Sequence, residues 1–153
     1  MRIRSADSGD EAFIVATAER LRAFGPPPWR TPAEVVDGEV RTLRAYFASP
    51  PHHASLVIAE DDRGPAGFAY LEEMQDYFTQ EKHGHLGIIA VAERAEGSGA
   101  AKALMREAES WARARGYRTL TLNVFDGNRH ARDVYEHLGF RAEAVKYVKP
   151  IDR

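Results

Sequence analysis

The first part of the chain shows two stretches of helical periodicity. Residues 2–4 are predicted to form a first strand, and apolar side chains then recur at helical spacing from about residue 7 or 8 to residue 24. A second helix is predicted to begin at Thr31 and Pro32, because a threonine N-cap followed by proline is typical of a helix start. The proline pair that begins at Pro50 would end this helix.

Three strand patterns follow the second helix. Residues 55–59 form a short apolar run, and residues 66–74 alternate between apolar and polar side chains. Residues 85–91 are almost entirely apolar. That composition is expected of a central strand whose two faces are both covered.

The last third of the chain continues the mixture of helices and strands. Residues 99–115 have helical spacing, and Gly116 would end that helix. A strand over 119–125 and a short helix capped by Asn128 come next, and residues 141–148 are predicted to form a final strand. The predicted order β-α-α-β-β-β-α-β-α-β indicates an α/β fold in which helices cover a mixed sheet.

The composition narrows the class of protein. A chain of 153 residues, 44% of them hydrophobic, is expected to form one domain over residues 1–153 with a buried core. A net charge of −2 provides no basic field for nucleic acid, and the absence of cysteine excludes disulfides and thiolate sites. No signal-peptide pattern or bilayer-spanning run occurs, so we expect a cytoplasmic protein without nucleic-acid or membrane partners.

The segment between Val91 and Ala101 carries the clearest sign of ligand binding. It passes from the apolar strand through Gly97, Ser98 and Gly99 directly into the next helix. Such a loop exposes backbone N–H groups at the positive end of a helix, where a pyrophosphate can bind, and small residues permit its close approach. The P-loop lysine and the Rossmann spacing are both missing. Taken alone, the loop could also be a simple glycine-rich turn.

The elements after this loop make its interpretation more specific. Val91 ends the strand, the glycine loop opens the helix, a Leu-x-Leu strand and an Asn-x-x-Ala segment follow, and a tyrosine precedes Leu-Gly-Phe. This combination resembles the GNAT superfamily of N-acetyltransferases and extends over residues 55–148. The matching residues are Val91, Gly97, Gly99, Ala101, Leu104, Leu120, Leu122, Val124, Asn128, Ala131, Tyr135, Leu138, Gly139 and Phe140.

The resemblance implies both a fold and an activity. A GNAT-type sheet is mostly antiparallel and splayed at its centre, and the reaction would be direct transfer of an acetyl group from acetyl-coenzyme A to an amine of a small molecule or peptide. No metal is implied, and a homodimer is compatible with the family. The resemblance assigns coenzyme A binding to Ile89, Ala90, Val91, Glu96, Gly97, Ser98, Gly99, Ala100, Ala101, Asn123, Asn128, Ala131 and Tyr135.

One position departs from the family pattern. Counting from Val91, the usual Arg or Gln of the loop falls on Glu96, whereas a register that starts at Arg94 spoils the spacing on both sides. A carboxylate beside phosphates is expected to weaken coenzyme A binding, and Arg94 is the cation that would offset it.

The resemblance also assigns the proton transfers. Tyr135 occupies the position of the general acid that protonates the leaving thiolate, and backbone N–H groups around residues 89–91 would polarise the carbonyl. His85 lies on the face of the central strand that points at the acceptor, and a histidine titrates near neutral pH, so it is a candidate base. Glu72 and Glu73 on the preceding strand are rival bases, or ligands of a cationic acceptor.

Two alternatives remain open from the sequence. His83 and His85 share a strand face, but no third ligand is evident, so we expect no metal site. A non-catalytic module that binds acyl-CoA as a sensor would need the glycine loop but neither Tyr135 nor a base.

Overall fold

The computed structural model describes residues 1–152, in which five strands and four α-helices occur. Short 3-10 turns extend α1 on both sides, so the helical region predicted over residues 7–24 is α-helical only in its middle. The elements in chain order are β1 Arg2–Ser5, α1 Glu11–Ala18, α2 Pro32–Ala48, β2 Ser55–Asp61, β3 Gly64–Gln75, β4 Lys82–Val91, α3 Ala100–Ala114, β5 Leu120–Leu122 and α4 Arg129–His137.

The five strands form one sheet in the order β1-β2-β3-β4-β5. The first four strands are antiparallel neighbours, and β5 lies parallel to β4 after the crossover through α3. The fold class predicted from the sequence, a mixed and mostly antiparallel sheet flanked by helices, is therefore confirmed.

Each face of the sheet carries its own hydrophobic core. Strand residues with alternating orientation contribute to one side or the other, as expected of a sheet covered on both faces. The core beneath α3 contains Val57, Ala59, Leu71, Leu86, Leu104 and Met105. The core beneath α1 and α2 contains Ile14, Leu43, Leu56, Ile58, Phe68 and Ile88.

Side-chain caps fix the starts of two helices where the sequence predicts them. The Thr31 hydroxyl accepts a hydrogen bond of 3.1 Å from the Glu34 amide at the start of α2. The Asn128 side chain accepts one of 3.2 Å from the Ala131 amide at the start of α4. Each cap satisfies an amide that has no partner inside its helix.

The sheet opens between β4 and β5. The two strands pair only through residues 84–86 and 120–122, so the last five residues of β4 have no partner on that side. The opening begins at a bulge, because Leu71 pairs with Leu86 and Tyr70 pairs with Ile88, which leaves Gly87 out of register. This opening corresponds to the predicted splay, and it lies between the last two strands of the described sheet.

Residues 141–148 do not form the predicted final strand. Residues 141–152 contain no assigned strand, and within the described chain no residue after Phe140 takes part in a backbone hydrogen bond. The Val145 and Tyr147 side chains are 65% and 91% exposed. The prediction was wrong because local alternation gives only a propensity, whereas a strand needs a neighbour that completes its hydrogen-bond ladder.

Candidate active site

The loop from β4 to α3 presents a row of unpaired backbone amides. Gly97 and Gly99 have φ angles of 72° and 91°, a left-handed conformation that favours glycine. The amides of residues 99–102 have no hydrogen-bond acceptor in the described chain, as expected of the first turn of a helix. Because these N–H groups stand at the positive end of the α3 dipole, the loop suits a bound phosphate.

Glu96 is paired with an arginine that the sequence did not indicate. Arg20, at the end of the α1 region, donates a hydrogen bond to the Glu96 carboxylate and another of 2.5 Å to the carbonyl oxygen of Val91. The guanidinium therefore joins the last residue of β4 to the glycine loop and compensates the carboxylate at this unusual position.

Arg94 is not the cation that offsets Glu96. Its guanidinium donates to the Asp61 carboxylate at 2.9 and 3.2 Å and to the carbonyl oxygens of Gly64 and Pro65 at 3.0 and 2.7 Å. These bonds tie the loop to the turn between β2 and β3. The expectation that Arg94 compensates Glu96 is therefore wrong, because its guanidinium is held by Asp61 and by the carbonyl oxygens of Gly64 and Pro65 instead.

Tyr135 projects from α4 onto the α3 side of the sheet. Its ring packs edge-to-face against Phe140, with the centroids 5.9 Å apart, and contacts the core beneath α3. Ile89 and Val91, whose backbone lines the opening in the sheet, pack against the same core. Burial raises the pKa of Tyr135, so the phenol carries its proton at neutral pH.

His85 lies on the opposite face of the sheet from Tyr135. Its neighbour Leu86 points into the core beneath α3, so the alternation of β4 directs His85 toward α2. The ring is 7% exposed, and its Nδ1 lies 2.7 Å from the Thr121 hydroxyl oxygen on β5. Burial, together with the nearby charge of His83, lowers the pKa of His85.

Glu72 shares this face with His85, because the two residues are directly paired between β3 and β4. Burial raises the pKa of Glu72. Burial also raises the pKa of Glu39 on α2, and the charge of Glu72 adds to that effect. Glu72, which is paired with His85, thus disfavours a second negative charge on Glu39, an arrangement that a positive charge would relieve.

Glu73 points away from this group. The Tyr117 hydroxyl donates a hydrogen bond of 2.5 Å to the Glu73 carboxylate, and this bond lowers the pKa of Glu73. Trp111 of α3 packs against Tyr117, so the bonded pair lies on the α3 side. The structure therefore separates the two acidic candidates that the sequence predicted together, and only Glu72 lies beside His85.

A cleft of about 320 Å³ lies between α2 and the end of β5. Asn123, predicted to bind coenzyme A, lies on its wall together with residues of α2. Asn128 and Ala131 are joined by the cap of α4, as described above. The cleft is lined by Arg30, Glu34, Val35, Gly38, Glu39, Asn123 and Phe125.

Residues 1–152 contain neither a cluster of metal-ligating side chains nor a helix that could span a membrane. Among them, no group of three or more histidine, aspartate or glutamate side chains is arranged to hold a metal ion. His83 and His85 instead both approach Thr121, at 3.1 and 2.7 Å. None of the helices in that range has the length and apolar character needed to cross a membrane.

Comparison with known proteins decides the family. The model of the Acetyltransferase (GNAT) family matches residues 16–140, which contain the glycine loop, the opened sheet and Tyr135. The chain belongs to the GNAT acetyltransferase family.

Individual relatives of this GNAT chain agree with that assignment. It is 34% identical over 158 residues to a mycothiol acetyltransferase of Beutenbergia cavernae, covering 90% of this chain but about half (51%) of the relative. It is 27% identical to the uncharacterized N-acetyltransferase YhfO of Bacillus subtilis, with 94% of this chain and 91% of the relative covered. A solved Pyrococcus furiosus structure, whose acetyl transferase assignment is itself provisional, superimposes with a TM-score of 0.78 at 26% identity over 98% and 99% of the chains.

Three residues of the site were missed by sequence reasoning. Arg20 reaches the glycine loop across 76 positions, and nothing in the helical pattern around it distinguishes this arginine. Glu39 looks like an ordinary surface residue of an amphipathic helix. Thr121 could have been found, because a parallel strand next to β4 must place some side chain opposite His85, but its register is not encoded locally.

Proposed function

We propose that this GNAT-family chain transfers an acetyl group from acetyl-coenzyme A directly to a primary amine of a small molecule or peptide, with residues 1–153 acting as one catalytic domain. The observation that carries the proposal is the row of unpaired amides at residues 99–102, which stands at the end of the loop that follows the opened edge of β4. The other features of the site agree with this reaction.

The residues at the loop fit a pyrophosphate. The amides of residues 99–102 would donate to its oxygens, the left-handed glycines leave the approach free of side chains, and Arg20 would supply positive charge. The backbone of residues 87–91, which has no strand partner on the β5 side, would bind the extended arm of coenzyme A. When bound there, acetyl-coenzyme A supplies an acetyl thioester as the acyl donor.

The two candidate proton carriers suit opposite ends of the reaction. Tyr135, on the α3 side, has a raised pKa and would hold a proton for the departing thiolate. His85, on the α2 side, has a lowered pKa and is neutral at pH 7, so it would accept a proton from the incoming ammonium group. Leaving group and acceptor would thus be served from different faces of the sheet.

The cleft beside α2 suits a cationic acceptor. Glu34 and Glu39 line it, and Glu72 acts electrostatically on Glu39 from the strand below. An ammonium group among these carboxyl groups would relieve their repulsion and lower the pKa values of Glu39 and Glu72. The acids would therefore bind the charged amine, and His85 would deprotonate it.

A turnover assay with acetyl-coenzyme A and a panel of primary amines tests the proposal. We expect release of free coenzyme A that depends on the amine, and stabilisation of the fold by roughly 2.7 kcal/mol at 100 times the dissociation constant of coenzyme A. Stabilisation without turnover of any amine would instead favour the sensor module. Absence of both effects would contradict binding at this loop.

A pair of variants at Ala101 tests whether the loop binds the phosphates of coenzyme A. Ala101→Glu places a carboxylate in the first turn of α3, where it should stabilise the free helix but repel a phosphate, so coenzyme A binding should weaken at least tenfold. Ala101→Gln has nearly the same shape without the charge and should bind much better than Ala101→Glu. Equal losses in the two variants would indicate a steric rather than an electrostatic effect.

The pairing of Arg20 with Glu96 gives a further prediction. Arg20→Gln should weaken coenzyme A binding by about fivefold, because the Glu96 carboxylate then faces the phosphates without compensation. Glu96→Gln should tighten binding, because it frees the guanidinium. Calorimetry on both variants and on the double variant measures the coupling, which should shrink at high salt. Tighter coenzyme A binding by Arg20→Gln would contradict this account. It would mean that the guanidinium blocks the ligand at the Val91 carbonyl oxygen instead of attracting the phosphates.

A further inference from the structure

A hydroxyl group links the two histidines of β4. The Thr121 hydroxyl oxygen lies 2.7 Å from His85 Nδ1 and 3.1 Å from His83 Nε2. The contact follows from the register, because β5 runs parallel to β4 with Thr121 directly opposite His85. Leu120 and Leu122 pack on the α3 side, so Thr121 between them points to the face that carries both histidines.

The number of protons in this link restricts how it can be arranged. A threonine hydroxyl has one proton, so it can donate to only one partner and accepts from the others. The Gly84 carbonyl oxygen is also within reach, but at 3.5 Å it is a more distant acceptor than His83 Nε2 at 3.1 Å. If it donates to His83, it accepts from His85 Nδ1–H, and the lone pair of His85 then lies on Nε2. If it donates to His85, the lone pair on Nδ1 is used and Nε2 carries the proton.

Only the first arrangement leaves His85 able to act as a base. Nδ1 is directed at Thr121, so Nε2 is the ring nitrogen that remains for a substrate. Nε2 must lack a proton before it can accept one from an ammonium group. Once Nε2 is protonated, Nδ1–H still donates to Thr121, and this charge-assisted hydrogen bond stabilises the imidazolium.

We propose that Thr121 is a positioning residue that holds His85 as the Nδ1–H tautomer, with His83 Nε2 accepting the Thr121 hydroxyl proton. This inference rests on the proposed function, because it assigns His85 the role of base, but the tautomer itself can be observed without any substrate. His83, which otherwise has no role in the site, orients the hydroxyl in this arrangement.

The first test reads the tautomer directly. Nitrogen-15 spectra of the imidazole rings of the whole chain at neutral pH should show His85 protonated at Nδ1. In Thr121→Val, which keeps the β-branched shape and removes the hydroxyl, the Nδ1–H population should fall. In His83→Phe the hydroxyl loses its nearer acceptor, and only the Gly84 carbonyl oxygen at 3.5 Å then competes with His85 for its proton, so the Nε2–H form should increase. A wild-type His85 protonated at Nε2, or an unchanged tautomer in Thr121→Val, would overturn the proposal.

The second test measures the consequence for catalysis. Thr121→Val should lower kcat by about tenfold, the loss expected from one hydrogen bond to a charged group, while KM for acetyl-coenzyme A changes little. Thr121→Ser restores a hydroxyl and should recover most of the lost rate. A shifted tautomer with an unchanged kcat would overturn the positioning role. If the wild-type chain turns over no amine, the proposed function fails, and the spectra still decide whether Thr121 holds the tautomer.

Discussion

Tyr135→Phe should lower kcat for acetyl transfer by about 100-fold or more. The substitution removes the hydroxyl that would protonate the thiolate and keeps the ring that packs against Phe140 and the core beneath α3. Binding of coenzyme A and the melting temperature should therefore change little. Steady-state kinetics and calorimetry on the same preparation separate these quantities.

The pKa of Tyr135 adds a pH dependence to this prediction. An acid must be protonated to act, and burial raises the pKa of this phenol above its ordinary value of 10.0. The wild-type rate should therefore show no loss attributable to Tyr135 near neutral pH, and should decline only as the pH approaches this raised pKa. The rate of Tyr135→Phe should lack this alkaline decline.

Tyr117 supplies a matched control for the loss of a hydroxyl. Tyr117→Phe removes a phenol that is bonded to Glu73 on the α3 side, away from the loop and the cleft. This variant should keep its activity and lose only stability. If Tyr135→Phe were as active as Tyr117→Phe, the chain would lose its acid, and the rate would come from proximity and orientation alone.

The elements that the sequence predicted well are those whose signals are local. α2 and α3 have apolar stripes at helical spacing, and Thr31 and Asn128 cap their helices through bonds that span only three residues. The glycine loop is equally local, because its left-handed residues are recognisable as glycines. These features specify the fold class and the candidate phosphate site.

The features that the sequence did not reveal depend on distant partners. The final strand was wrong because no neighbour pairs with residues 141–148. Arg94 was assigned to Glu96 by proximity along the chain, whereas Arg94 bonds to Asp61 and Arg20 arrives from another layer of the fold. Such pairings depend on how the layers of the fold pack together, and this packing cannot be predicted from the pattern of charges along the chain.

The alternation of side chains along β3 could have separated its two acidic residues from the sequence alone. Glu72 and Glu73 are neighbours on a strand, so their side chains must point to opposite faces. One of them was therefore certain to lie away from His85. The bonded Tyr117 identifies that residue as Glu73. The titratable groups beside His85 are His83 on its own strand and Glu72, its partner on β3, to which the Tyr70 hydroxyl donates a hydrogen bond. Glu39 of the cleft is affected by the charge of Glu72, and β5 presents the uncharged Thr121.

His85→Gln should lower kcat/KM for the amine by about 100-fold at neutral pH, because the glutamine side chain fills the site but accepts no proton. In the wild type, kcat/KM should rise with pH through a pKa below 6.5, since burial lowers the pKa of His85 and only the neutral ring is a base. That acidic limb should vanish in His85→Gln, and activity should return only as the amine itself deprotonates. His52→Gln, at an exposed histidine before β2, should leave the profile unchanged.

Glu72→Gln distinguishes the histidine from its remaining rival. If Glu72 binds the ammonium group, this variant should raise KM for the amine and keep the acidic limb that belongs to His85. If instead His85→Gln kept the wild-type rate and profile while Glu72→Gln lost both, the base would be Glu72, whose pKa burial raises toward the neutral range. The two variants are needed because the wild-type pH profile cannot separate these groups by itself: burial disfavours the imidazolium and the carboxylate alike, so it moves the two pKa values toward each other, and either base would give an acidic limb.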